Sequence, residues 1–274
     1  DQWLEAARAM GARYAIFTAT HFGGFLQWQS DLYPYGVKQS PWRGGKGDVV
    51  ADFVASCRRA KIAPGLYVSC HRNAYWKVDH HRVNWGKGGP EQKRFARVCQ
   101  KMVEELCTRY GPLCEIWFDA GLLAPEDGGP YVVPIVDKPD AVSVYYHSPQ
   151  RRENRWIGNE RGVAGYPCWS TMPDAGTAER AHRGKMRDAR KLLAHGDPDG
   201  KLWSPAMVDV PLRNHAWFWR PGEDAKVYPL QSLVGMVYTS VGRNGNLILG
   251  ATPDRDGLVP EADRRRCAEL GAEI

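Results

Sequence analysis

Two carboxylates stand where chemistry could use them. Residues 114–121 read CEIWFDAG: the apolar run Ile116-Trp117-Phe118 delivers Asp119, and Ala120 and Gly121 follow at once. Residues 155–162 read RWIGNERG and place Glu160 after Trp156 and Ile157 and before Gly162. A strand that ends in an acid and opens into a glycine-bearing loop is how a parallel α/β enzyme presents a reactive group at its rim. Two carboxyl groups presented in this way meet the chemical requirement of glycosidic bond cleavage. The blander readings are a helix N-cap for Asp119 and an ordinary ion pair for Glu160. Against the first, Ala-Gly-Leu-Leu-Ala-Pro after Asp119 starts no convincing helix. Against the second, Glu160 has Trp156 and Trp169 nearby in sequence.

Other polar candidates are weaker. His21 closes an apolar run and precedes Phe22, Gly23 and Gly24, where the absence of a Cβ lets a ligand come close. Trp28, seven residues on, could supply a stacking face. The triplet Asp79-His80-His81, with His71 nearby, lacks the i, i+4 spacing of a helical metal site and reads as a polar, solvated loop. No metal site is expected. Cys70 and His71 are neighbours that would face opposite ways on a strand, so they make no nucleophile–base pair. No P-loop, GxSxG or dinucleotide fingerprint occurs, and no organic cofactor is implied.

Composition bounds the rest. The chain has 274 residues, one large domain's worth, and a net charge of +6 spread over short runs such as Arg264-Arg265-Arg266. Scattered charge of this kind fits solvated helix faces better than a nucleic-acid stripe. Seven cysteines without a CxxC pair argue against a zinc ribbon or a thioredoxin-type site and leave at least one free thiol. No apolar run approaches the roughly 20 residues of a membrane span, and no signal peptide is visible. Eleven Trp and twelve Tyr fit either a filled core or sugar-stacking platforms.

The elements that would position the acids alternate. Helices are expected at 2–10, from Asp48 onward, at 90–110, 178–194, 229–241 and 260–271. Strands are expected at 14–20 (buried), 66–70 after a Pro64-Gly65 lead-in, up to Asp119, and at 141–146, 155–157, 205–212 and 246–251. Seven strands alternating with helices argue for a parallel α/β architecture of the (β/α)8, TIM-like kind. One strand short of eight, the chain reads as a barrel without its N-terminal strand.

Taken in order, several segments resemble glycoside hydrolase family 29, the α-L-fucosidases, and most of all its α-1,3/1,4 branch. They are FTATHFGGFLQWQS (17–30), YGVKQSPWRGGKGDVVADF (35–53), GLYVS (65–69), CEIWFDAG, RWIGNERG, WSPAMVDVPLR (203–213) with WFW (217–219), and SVGRNGNLILGATPDRDGL (240–258). The resemblance covers essentially the whole chain and implies a single catalytic barrel over residues 1–274, without the C-terminal β-sandwich of many members. It implies a retaining double displacement on non-reducing fucose of an oligosaccharide or glycan, with Asp119 as nucleophile and Glu160 as acid/base. It also implies His21 as a fucose-hydroxyl ligand, and Trp28, Tyr67, Arg155, Trp156 and Phe218 as pocket lining. The family's usual compartments are secreted, periplasmic or lysosomal; nothing here indicates an oligomeric state. Departures are Phe22 for a second His, the lack of an Asp that is usual near Gly23, and Met207 where a Glu is common. A further substrate His of the family would precede Asp1. Two alternatives follow: a retaining glycosidase for another sugar, and a barrel that binds carbohydrate without turnover.

Overall fold

The computed structural model describes residues 1–83, 89–137, 144–145, 153–174 and 188–274. The chain forms two compact units, residues 14–148 and residues 1–13 with 149–274. It opens with α1 (Gln2–Ala9), which belongs to the second unit.

The 14–148 unit is built on a parallel sheet. Its strands are β1 (Tyr14–Thr20), β2 (Ala63–Val68), β5 (Glu115–Phe118) and β6 (Val144–Tyr145), and they pair in that order. Between β1 and β2 runs α2 (Val49–Ala60); the Asp48 Oδ1 accepts the Ala51 N–H at 2.8 Å, which satisfies one orphan donor of the first turn. Val50, Phe53, Val54 and Cys57 form its buried stripe. A two-residue antiparallel ribbon, β3 (Val78–Asp79) with β4 (Arg82–Val83), precedes α3 (Pro90–Arg109). The apolar positions of α3 fall at Phe95, Val98, Met102, Val103 and Leu106, and all five are buried. At about 1.5–3 kcal/mol per fully buried large apolar side chain, this stripe is what fixes α3 on the sheet. The short α4 (Val133–Val136) follows β5.

The second unit holds a parallel sheet in the order β11-β10-β7, from β7 (Arg155–Trp156), β10 (Ala206–Pro211) and β11 (Gly245–Gly250). A ribbon of β8 (Thr171–Met172) and β9 (Leu202–Trp203), with α5 (Ala189–His195), α6 (Leu230–Ser240) and α7 (Glu261–Glu273), completes it. Leu212, Leu233, Cys267 and Leu270 make one core cluster. Arg213, almost fully buried, reaches both carboxylate oxygens of buried Asp263 at 3.1 Å and Asp224 at 2.8 Å, tying the end of β10 to α7.

Several expectations shift. Pro64 and Gly65 lie inside β2 rather than ahead of it. As the strand's second residue Pro64 forfeits little by lacking an N–H, and its carbonyl still accepts from Cys114. Residues 14–18 are half-buried, not buried; among the described residues β1 pairs on one side only, with β2. The helix expected at 178–194 is seen at Ala189–His195, and the strand at 141–146 as Val144–Tyr145; residues 175–187, 141–143 and 146 lie outside the described residues. The Asp79-His80-His81 segment is not a plain solvated loop: it belongs to the β3–β4 ribbon, and His71 and His81 are half-buried.

Candidate active site

Asp119 follows β5, whose four residues are all buried. The Gly121 N–H closes a turn onto the Phe118 carbonyl at 3.0 Å. Inside it Ala120 takes φ 54° and Gly121 φ 78°. An alanine in the left-handed region costs about 1–3 kcal/mol and persists only where neighbours hold it. The turn lifts Asp119 out of the sheet instead of letting a helix begin, so the N-cap reading does not apply. Asp119 is half-buried, and Tyr67 on the neighbouring β2 donates its hydroxyl to Oδ2 at 2.7 Å. Register places Tyr67 beside Trp117, so the Tyr67 ring reaches one step beyond the strand end to meet the carboxylate.

His21, at the end of β1, stacks on Tyr67 with ring centroids 5.6 Å apart and planes 11° from parallel. Burial lowers its pKa, and the charge of Asp119 opposes that only in part, so the imidazole is neutral at neutral pH. The Tyr67 hydroxyl is pushed far up by burial, then by the adjacent Asp119 charge and hydrogen bond; it stays a donor throughout. Asp119, Tyr67 and His21 thus form one constellation at the C-terminal ends of three adjacent parallel strands.

Trp28 is not part of it. Its ring is 0% exposed, and its indole N–H donates to Glu105 on α3 at 2.8 Å. The expected sugar-stacking face is a core face, because the loop that carries Trp28 folds back under α3.

In the second unit, Glu160 is exposed and accepts the Trp217 indole N–H on Oε2 at 3.1 Å. Trp156 is half-buried and donates its indole N–H to Asp209 on β10 at 2.8 Å. Phe218 is 64% exposed. Arg155 departs from the expected pocket lining: it is 0% exposed, and its guanidinium donates to the Leu193 carbonyl (2.9 Å), the Ser204 carbonyl (2.5 Å) and the Cys168 sulfur (3.3 Å). It braces α5 and the residues before β10 from within. Two partners were missed in the sequence. Trp217 lay in the WFW segment one residue from Phe218, and Asp209 was the single charge in an otherwise apolar strand.

Among the described residues, no three His, Cys, Asp or Glu side chains group as metal ligands, and no helix is long and apolar enough to cross a membrane.

The comparisons agree with one another. The alpha-L-fucosidase family profile matches residues 1–273. Alpha-L-fucosidase 1 of Arabidopsis thaliana is 34% identical over 273 residues, covering 96% of this chain and 49% of that protein. A solved structure from Bacteroides thetaiotaomicron, provisionally named an alpha-L-fucosidase, superposes with a TM-score of 0.94 at 45% identity, over 100% of this chain and 64% of the other. A glycoside hydrolase 29 family member from a rumen bacterium gives a TM-score of 0.80 at 26% identity, over 99% of this chain and 48% of the other. The chain therefore spans about half the length of the named plant relative. With the profile matched from end to end, the chain belongs to the alpha-L-fucosidase family, glycoside hydrolase family 29.

Proposed function

We propose that this chain carries out α-L-fucoside hydrolysis, releasing non-reducing α-1,3- or α-1,4-linked L-fucose from oligosaccharides or glycans by a retaining double displacement. The observation that carries the reading is the Tyr67–Asp119 hydrogen bond, at a strand end where a carboxylate is held ready but half-open. Ionised Asp119 attacks the anomeric carbon of fucose while Glu160, protonated, gives its proton to the departing oxygen. The fucosyl–Asp119 ester is then opened by water, with Glu160 as the base. The Trp217 indole occupies Oε2 of Glu160, so the transferable proton belongs on Oε1. Neutral His21 can both give and take a hydrogen bond and suits a sugar hydroxyl. Exposed Phe218 is an apolar surface for the 6-methyl group.

The family membership supports the reaction, and the parallel strand order within each unit supports the α/β class of the frame. The test compares an α-1,3/1,4-fucosyl trisaccharide and aryl α-L-fucoside with the matching galactosides, in wild type and Phe218→Ala. Fucose release without galactose release supports the reading, and a narrowed preference in the variant supports Phe218's part in it. Equal turnover of galactosides points instead to a glycosidase for another sugar. Binding of the trisaccharide without any release points to a carbohydrate-binding barrel.

A further inference from the structure

The turn that carries Asp119 is held from outside by a histidine. His81 Nε2 lies 3.1 Å from the Gly121 carbonyl oxygen, and His81 Nδ1 lies 3.3 Å from Nδ1 of His71. The two ring centroids are 4.5 Å apart and the planes cross at 72°, an edge-on arrangement. The His81 backbone is itself fixed: its N–H donates to the His71 carbonyl at 2.8 Å, and its carbonyl accepts from Gln92 on α3 at 3.1 Å. A carbonyl oxygen only accepts, so His81 Nε2 must carry a proton. In a neutral ring Nδ1 is then bare, and His71 must supply the proton between the two Nδ1 atoms. If His81 carries that proton instead, His71 accepts it, and the Nε2–H to Gly121 is unchanged. The contact with Gly121 therefore survives either placement of the shared proton.

We propose that His81, oriented by His71, is a positioning residue for the nucleophile. By holding the Gly121 carbonyl it keeps Ala120 and Gly121 in their left-handed conformations, and so keeps the Asp119 carboxylate aimed at the anomeric carbon and within reach of Tyr67. In this role His81 acts through the turn, by way of the Gly121 carbonyl. The inference rests on the reading of Asp119 as the nucleophile. Its signature follows from that: loss of the tether misplaces an attacking group without removing a sugar contact, so kcat falls and KM does not rise in step.

The experiment uses the full chain as wild type, His81→Ala, His81→Gln and His71→Ala, with an aryl α-L-fucoside as substrate. The imidazole nitrogens are read by NMR on histidine-labelled protein. Expected are a protonated Nε2 and a bare Nδ1 at His81 in wild type. His81→Ala should lose roughly 10- to 100-fold in kcat with KM within about threefold. His81→Gln, whose amide N–H can replace Nε2–H, should recover most of that loss, and His71→Ala should fall between the two. A bare Nε2 at His81 overturns the proposal. So does a kcat within about threefold of wild type in His81→Ala, or equal losses in the Ala and Gln variants. If His81→Ala does not fold, His81→Gln and the wild-type imidazole spectrum still decide it. An inactive wild type would overturn the reading of the reaction and this proposal with it; an active wild type with an indifferent His81 overturns the proposal alone.

Discussion

The Tyr67 hydroxyl donates to Asp119 Oδ2 at 2.7 Å across two adjacent parallel strands. Because the acceptor is a carboxylate, the bond is of the charge-assisted kind, worth about 1.5–3 kcal/mol. It holds one oxygen and leaves the other to attack. Tyr67→Phe is expected to lower kcat/KM by roughly 10- to 100-fold, the rate equivalent of that energy, with the His21 stack intact. Steady-state kinetics on an aryl fucoside checks it; an unchanged kcat/KM would show that β5 and its turn aim Asp119 unaided.

Glu160 and Asp119 should answer differently to an added nucleophile. In Glu160→Ala the fucosyl–enzyme still forms from an activated aryl fucoside, and azide then attacks it to give a fucosyl azide of retained configuration. In Asp119→Ala azide takes the place of the missing carboxylate and gives the inverted product. The anomeric coupling constant of each isolated azide reports the outcome, and reversed stereochemistry would exchange the two roles.

Trp28 and Phe218 should separate core from site. Trp28→Phe is expected to cost about 1–3 kcal/mol of stability, from lost packing and the lost indole bond to Glu105, with KM unchanged. Phe218→Ala should raise KM with stability unchanged, as suits a side chain that is mostly exposed. Denaturant titration beside Michaelis kinetics resolves both, and a raised KM in Trp28→Phe would return that ring to the sugar site.

The alternation of strands and helices was legible because apolar runs and 3.6-residue stripes are strong signals, as in α3, where Phe95, Val98, Met102, Val103 and Leu106 are all buried. The place of Asp119 just past β5 was legible because the apolar run before it marks a strand. Trp28 and Arg155 were not. An aromatic or a guanidinium in a motif reads the same from the sequence whether it faces a ligand or its own core; only the fold reveals Glu105 beneath one and the carbonyls of Leu193 and Ser204 around the other. The histidine pair was hidden for a related reason. Its two members are ten residues apart, and the ribbon that joins them is only two residues per strand.

A buried carboxyl at the start of β5 sets a pH dependence of stability. Glu115 is 4% exposed, its Oε1 has no hydrogen-bond partner among the described residues, and burial pushes its pKa up to about 8. A folded-state value above the unfolded one means the native state holds the proton longer. The contribution of Glu115 to stability is then fully present below the ordinary glutamate range, near pH 4.5, and is lost as pH rises toward 8. Glu115→Gln removes the ionisation and should flatten that fall by a few kcal/mol at the alkaline end. Urea unfolding at mildly acidic and mildly alkaline pH checks the sign; parallel curves for the two proteins would mean Glu115 is ionised in the native state.

The central claim is that Asp119 forms a bond to fucose. The direct measurement is mass spectrometry of intact and digested protein after reaction with a 2-fluoro-fucosyl fluoride, beside a proton NMR time course of trisaccharide hydrolysis. The account predicts one added fluorofucosyl group on the peptide containing Asp119, α-fucose as the first anomer released, and neither in Asp119→Ala. Label on another residue, or β-fucose appearing first, would contradict it.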